Sequence, residues 1–265
     1  MTSPRIIAVI PAHMASARFP GKSLFDFFGH PMIEHVRRRA LLSPHLDEVY
    51  VATCDQVIAD TVKNYGGNVI MTGDHHLNGT TRVAEAIADI DCSHVILLQG
   101  DEPLLQPDDV SCMVEAISAD PGGDAWNATA MLNTKEEMDR HSFVKCALGA
   151  GQRILYCFRR SPSHAPLEEQ QRYIRKILGL IAFRKAVLME LVETAPSIVE
   201  EIEFIEQMRI IDKGFRINAV DVDQALPSVN EPHEANLIVD YLKAHPEQQA
   251  LLKETFSISL EGEDH

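Results

Sequence analysis

The stretch Ile6-Ile7-Ala8-Val9-Ile10-Pro11-Ala12-His13-Met14-Ala15-Ser16-Ala17-Arg18-Phe19-Pro20-Gly21-Lys22-Ser23 decides how this chain reads. Five apolar residues in a row, closed by a proline, have the pattern of a strand buried on both faces. Just beyond its carboxyl end comes a loop with two cations, small residues and a glycine, and open α/β sheets bind ligands at that place. Similar apolar runs recur at Val49–Thr53, Asn68–Thr72 and Val95–Leu98. Between them, Met32–Leu42, Gln56–Tyr65 and Thr81–Ile90 space apolar residues by three and four, as amphipathic helices do. Alternating strand and helix predict βαβ units and a mostly parallel sheet.

Further along, Pro107-Asp108-Asp109 opens a helix to about Ile117, with proline at its start and acids where the helix dipole favours them. The turn cluster Asp120-Pro121-Gly122-Gly123-Asp124 then introduces short β-like runs at Ala128–Leu132, Val144–Leu148 and Ile154–Phe158, which suggests a second lobe of α+β character. The polar segment Ser161–Arg175 reads as a mobile loop and candidate lid whose later part has helical character. A strand at Ile177–Phe183, helices at Lys185–Glu193 and Ser197–Lys213, a strand at Phe215–Val220 and a final helix at Glu231–Ala244 complete the reading, with frayed residues at Glu261–His265.

At 265 residues, 45% hydrophobic and 24% charged, the chain has ample material for a buried core and the balance of a soluble globular protein. Thirty-nine acidic against 24 basic residues give a net charge of −15, which excludes a broad cationic field for nucleic acid, so any phosphate site must be locally cationic. The opening apolar run is too short for a secretory signal, and no stretch approaches the roughly 20 apolar residues of a membrane span. A cytoplasmic protein without membrane partners is therefore expected. The five cysteines lack CxxC spacing and read as buried free thiols; the 12 histidines lack HExxH or HxxxH spacing, and His75-His76 reads as a solvated pair rather than a zinc site.

Gly21-Lys22-Ser23 looks like the end of a P-loop, but position 16, where that motif needs its first glycine, holds Ser16. Two readings of the loop stay open: a triphosphate loop in which backbone N–H groups, Arg18 and Lys22 hold phosphates, or a basic surface turn. The run Leu98-Gln99-Gly100-Asp101-Glu102-Pro103 ends another strand on two carboxylates. Asp101 there suits Mg²⁺, which is usually bound through one or two carboxylates plus substrate phosphates, while a capped strand end is the plainer alternative.

Taken in order, Pro11-Ala12-x-x-Ala15-Ser16-x-Arg18-x-Pro20-Gly21-Lys22-x-Leu24, Pro31-Met32-Ile33, Val51-Ala52-Thr53, Met71-Thr72, Gly79-Thr80-x-Arg82 and Gln99-Gly100-Asp101-Glu102-Pro103 resemble the CMP-sugar synthetases, most of all the CMP-Kdo (3-deoxy-manno-octulosonate) branch. Similarity is dense to about residue 110. It resumes at Val144-Lys145, Leu155-Tyr156, Arg159, Gly179, Glu203-x-x-Glu206-Gln207-x-Arg209 and Val229–Pro232.

The resemblance implies an α/β, Rossmann-like nucleotide-diphospho-sugar transferase fold. It further implies a Mg²⁺-dependent cytidylyltransferase of lipopolysaccharide biosynthesis that joins CMP from CTP to an acidic sugar and releases pyrophosphate. Residues 1–124 would form the nucleotide-binding core, 125–215 an acceptor-binding and dimerisation lobe, and 216–265 a return to the core, in a homodimer.

Carried over position by position, Arg18, Lys22 and Asp101 would be catalytic. Pro11, Ala12, His13, Ser16, Gln99 and the Asn78-Gly79-Thr80 stretch with Arg82 would surround the nucleotide, and Asp101 with Asn230 would hold the metal. Arg159, Ile177, Ile181, Glu203, Glu206 and Gln207 would face the acceptor, the last three near one face of a helix.

Three departures stand out. His13 replaces a usual Arg; Ile177-Leu178-Gly179-Leu180-Ile181 replaces His-Leu-Gly-x-Tyr; and Val229-Asn230-Glu231-Pro232-His233-Glu234 replaces Val-Asp-Thr-Pro-Glu-Asp, with Glu231, Asp221 or Asp223 as compensating acids. They leave open another acid as acceptor, or a non-catalytic nucleotide-binding homologue.

Overall fold

The structure is a computed structural model that describes residues 4–258, so the expectation for Glu261–His265 lies outside the described residues. In chain order the strands and helices are β1 (Ile6–Ala12), β2 (Asp26–Phe27), β3 (His30–Pro31), α1 (Met32–Ala40), β4 (Glu48–Thr53), α2 (Gln56–Asn64), β5 (Asn68–Met71), α3 (Gly79–Ile87), β6 (His94–Leu98), α4 (Pro107–Ala119), β7 (Ala125–Ala130) and α5 (Lys135–Asp139). There follow β8 (Lys145–Leu148), β9 (Ile154–Phe158), α6 (Leu167–Gln170), β10 (Ile174–Arg184), α7 (Lys185–Val192), α8 (Ile198–Glu203), α9 (Gln207–Asp212), β11 (Ile217–Asp221), α10 (Glu234–Ala244) and α11 (Pro246–Phe256). The fold is α/β and Rossmann-like.

The chain forms two compact units. One comprises Ile7–Ala86, Leu98–Ser111 and the chain from Leu226 onward; the other takes the residues up to Ile6, Ile87–Leu97 and Cys112–Ala225. In the first unit β1, β4 and β5 lie parallel in that order, with Ile7 opposite Glu48 and Tyr50 opposite Asn68. β1 is buried along nearly its whole length, which explains its unbroken apolar run. The late segment joins this unit through a core of Phe27, Met32, Leu104, Val229, Ala235, Ile238 and Leu242, so residues around 230 are fixed by packing close to the chain's opening third.

In the second unit β11 runs parallel to β7, while β10 runs antiparallel to both β7 and β8, and β8 to β9. This mixed sheet follows from hairpin-like connections where the first unit has helical crossovers. β7 begins at Ala125, three residues before the apolar run at Ala128, because Trp126, Asn127 and Thr129 are buried members of the strand.

The expected helix Ser197–Lys213 is two helices. Phe204 sits in the left-handed region (φ 54°, ψ 49°) and closes α8, and α9 starts afresh at Gln207. Glu203 and Gln207 therefore occupy different helices, and the shared face expected for Glu203, Glu206 and Gln207 does not form.

The segment Ser161–Arg175 contains the short α6 and is tied internally. Ser161 Oγ donates to Gln170 Oε1 (2.7 Å), Gln170 Nε2 to the Ala165 carbonyl (2.6 Å) and Tyr173 Oη to Ser163 Oγ (2.9 Å). The last expected helix starts at Glu234 rather than Glu231, since the Glu234 carboxylate accepts the N–H groups of both Asn230 (2.6 Å) and Glu231 (2.9 Å). A further helix, α11, opens on Pro246 at its first turn.

Candidate active site

β1 ends at Ala12, and the loop beyond it is held by the Asp55 carboxylate and by its own backbone. The Met14 N–H donates to Asp55 Oδ2 (2.8 Å), and the Gly21 N–H donates to the Met14 carbonyl (2.9 Å). Gly21 has φ +75°, a conformation that strains any other residue, and a Cβ there would lie 3.3 Å from Met14 Cε. The glycine thus sets up the 3₁₀ turn Lys22–Leu24 that returns the lysine towards the sheet.

Lys22 Nζ donates to Asp101 Oδ2 at 2.5 Å and to the Val229 carbonyl at 3.4 Å, and the Val229 N–H donates to the Asp101 carbonyl at 2.9 Å. Asp101 follows β6 by way of Gly100, where a Cβ would stand 3.4 Å from Ile10, Ile33 and the Pro11 carbonyl. Three segments remote in sequence therefore meet at one ion pair. Both of its side chains are about one-fifth exposed, 18% and 20%, open enough to exchange partners with a ligand.

A cavity of about 150 Å³ opens beside this pair. Pro11, Ala12 and His13 line it from the end of β1, Asn78, Gly79 and Arg82 from the start of α3, and Lys22, Gln99 and Asp101 from between. Ser23, His76, Leu77 and Gly100 also line it and are not among the expected residues. Adjacency to Asn78 and the need for close approach at Gly100 are the signals that could have found them.

Thr80 is buried and Ser16 half-buried, and neither lines the cavity. Arg18 reaches elsewhere: its Nη2 donates to Asn230 Oδ1 at 2.9 Å. Val229, buried in the core, places Asn230 there, and Asn230 Nδ2 donates to Ser228 Oγ (3.3 Å).

Arg82 is buried and donates to neutral oxygens, Thr72 Oγ1 (2.6 Å) and the Gly73 carbonyl (3.1 Å), which keeps its charge available to the cavity. Burial, followed by the charge of Arg82, lowers the pKa of His13; Asp55 opposes and Lys22 adds to the shift. The locally cationic wall inside an acidic protein matches an anionic ligand. The Asp101 carboxylate and the Asn230 amide oxygen are hard donors, which fit a hard divalent cation completed by phosphate oxygens better than a thiophilic one.

In the second unit, Arg159 donates to the carbonyls of Glu203 (2.9 Å), Phe204 (3.3 Å) and His141 (3.3 Å), fastening the end of α8. Ile177 and Ile181 flank an irregularity in the pairing of β10 with β7. Asn127 Nδ2 donates to the Ala128 and Leu178 carbonyls (2.9 Å each), while Gln207 Nε2 donates to Asn127 Oδ1 (2.9 Å). Glu203 is half-buried and Glu206 exposed, and Arg209 is engaged with Glu200 at 2.5 and 2.6 Å. Asp221 is occupied by Thr129 (2.7 Å), Arg175 (3.3 Å) and Gln152 (3.3 Å).

Fold and cavity together define an α/β protein with a glycine-lysine loop opposite an acidic strand end. The family model described as cytidylyltransferase matches residues 7–217, and the chain belongs to that family. It is accordingly a nucleotidyltransferase.

The chain is 35% identical to the 3-deoxy-manno-octulosonate cytidylyltransferase of Escherichia coli, covering 86% of this chain and 92% of that one. It is 38% identical to the protein of the same name from Rhodopseudomonas palustris strain HaA2, covering 88% and 95%. Among solved structures, CMP:2-keto-3-deoxy-manno-octonic acid synthetase complexed with CTP superposes with a TM-score of 0.85 at 32% identity, over 91% of this chain and 99% of that one. The inositol-1-phosphate CTP transferase of T. maritima shares the fold alone, with a TM-score of 0.66 at 13% identity.

Proposed function

We propose that the protein transfers CMP from CTP to the 3-deoxy-octulosonate Kdo, releasing pyrophosphate, as a cytoplasmic step of lipopolysaccharide biosynthesis. The observation that carries this reading is the meeting of Lys22, Asp101 and the Val229 backbone beside the cationic cavity.

An acceptor hydroxyl that attacks the α-phosphorus in line with departing pyrophosphate needs charge stabilised on the transferring and leaving groups rather than a covalent nucleophile. Lys22 can trade Asp101 for a phosphate oxygen, and Arg82 supplies a second fixed positive charge. Arg18, now on Asn230, joins the triphosphate by exchanging an amide for an anion. Asp101 and Asn230 would hold Mg²⁺, which supplies Lewis acidity at the phosphates.

The acceptor-binding role of the second unit rests on Arg159, Ile177, Ile181, Glu203, Glu206 and Gln207 as carried by the resemblance. A homodimer is supported by Ile198, Ile202 and Phe204, three strongly exposed apolar residues within and at the end of α8.

The test is pyrophosphate release with CTP, Mg²⁺ and a panel of acids. Turnover with Kdo and not with other ulosonates is expected. Preference for another ulosonate moves the assignment within the class, and CTP binding without turnover of any acid ends it.

A further inference from the structure

A second cluster of chemistry-bearing groups lies at the rim of the same unit. Potential ligand atoms of His75, His76 and Glu85 lie within 4.8 Å of one another. Nothing in the adjacency of the two histidines announces this, because Glu85 arrives from α3, ten residues beyond His75.

The surroundings are built to hold the three in place. The Gly73 N–H donates to Glu85 Oε1 (2.9 Å), which fixes the carboxylate and turns Oε2 towards the imidazoles. Glu85 Oε2 contacts His76 Nε2 and lies 3.9 Å from His75 Nε2. Gly73 itself makes room, since a Cβ there would lie 2.4 Å from the His75 ring.

On the far side of His76, Nδ1 is 3.1 Å from Thr81 Oγ1, which itself lies 3.1 and 3.3 Å from the Asn78 oxygens. His76 Nε2 is hydrogen-bonded to the Glu85 carboxylate, where a metal ion would displace the shared proton, while Nδ1 is held by Thr81. A backbone-anchored carboxylate and a hydroxyl that holds the histidine from behind are the usual supports of a metal ligand. A proton holds His76 to Glu85 in the free protein, and the second imidazole near the same oxygen supplies the third donor with which a cation can displace it.

We propose that His75, His76 and Glu85 bind a borderline transition-metal cation of the Zn²⁺ class, separate from the hard-cation position at Asp101. Two imidazole nitrogens and one carboxylate oxygen suit Zn²⁺, Co²⁺ or Ni²⁺ and not Mg²⁺ or Ca²⁺, and they leave a fourth position open. Bonds of about 2.0–2.2 Å require ligand atoms roughly 3.4 Å apart, so the His76–Glu85 contact opens around the ion while the exposed His75 ring closes on it by rotation. The ion would pin the turn that carries Leu77 and Asn78 to α3, tightening one wall of the nucleotide cavity.

The full-length chain, stripped with chelator and then dialysed, is titrated with Zn²⁺ calorimetrically and with Co²⁺ by visible absorption. One ion per chain is expected, with a Co²⁺ spectrum of low coordination number. His75→Ala and Glu85→Gln should each weaken binding at least about tenfold, whereas His45→Ala and His164→Ala, exposed histidines elsewhere, should leave it unchanged. Zn²⁺ should also raise the melting temperature of the wild type more than that of His75→Ala. His75 is largely exposed, and the amide introduced by Glu85→Gln keeps an acceptor for the Gly73 N–H, so both variants fold. Binding no tighter than millimolar, binding insensitive to His75→Ala and Glu85→Gln, or full displacement by equimolar Mg²⁺ would each overturn the site.

Discussion

The loop at residues 11–23 and the surroundings of the irregularly paired strand β10 satisfy their polar groups in opposite ways. In the loop region, side chain meets side chain: Lys22 with Asp101, Arg18 with Asn230. Such partners can be replaced one for one by phosphate oxygens and a metal ion. Around β10 the polar side chains of Asn127, Gln207 and Arg159 serve the backbone or each other, and Ile177 and Ile181 present hydrocarbon where the family presents hydrogen-bonding groups. The first region is poised to exchange partners on binding. The second is committed to holding its own shape, so its mutations should report on stability before chemistry.

That contrast is tested most severely at Asp101. Asp101→Ala should lower kcat for pyrophosphate release by about 10²–10³-fold while leaving CTP affinity nearly intact, because the lost group acts on developing charge. Lys22→Ala should instead weaken CTP binding as well as turnover. Equal losses of affinity in the two variants would show that the pair is a structural bolt like those around β10.

On the other side of the contrast, Arg209→Ala leaves the Glu200 carboxylate buried without its bidentate partner; each side chain is only 9% exposed. A destabilisation of about 3–5 kcal/mol is expected in urea unfolding. Asn127→Ala should follow with about 1–3 kcal/mol, since the carbonyls at 128 and 178 and the Gln207 amide lose their partner together. In both variants the KM for CTP should hold at its wild-type value. A selective rise in KM without loss of stability would assign these residues to the site instead.

How legible each region is follows from the same physics. The first unit repeats one unit of design, an apolar strand followed by an amphipathic helix, so β1, β4 and β5 and the helices α1, α2 and α3 lie within a few residues of where periodicity places them, and Lys22 and Asp101 follow from strand ends. The second unit is harder to read. β7 hides Trp126, Asn127 and Thr129 in a pattern that is not apolar, and Phe204 breaks a helix from a left-handed conformation that its side chain does not announce. Asn230 is legible as a departure from the family, but its bond to Arg18 spans 212 positions and no local pattern encodes it. Likewise α11 is invisible to a reading that stops at the proline opening it.

The smallest effect should come from His13, which stands where the resemblance expects an arginine. Partial burial and the neighbouring Arg82 lower its pKa from the ordinary value, which favours the neutral imidazole in the free protein. The unfolded chain binds the proton more readily, and this residue's share of stability therefore falls as pH drops below about 6.5.

A triphosphate beside the ring acts in the other direction. It favours imidazolium, so CTP binding takes up a proton and tightens as the pH is lowered towards the free-protein value. His13→Arg carries its charge at every pH. It should bind CTP up to about tenfold more tightly at pH 8, and the advantage should shrink on acidification as the wild-type ring charges. CTP's own phosphate titrates identically against both proteins, so the difference between the two affinity profiles isolates the ring. Parallel profiles from about pH 5.5 to 8.5 would mean that His13 never meets a phosphate, and the exchange of partners argued for this loop would then rest on Lys22, Arg18 and Arg82 alone.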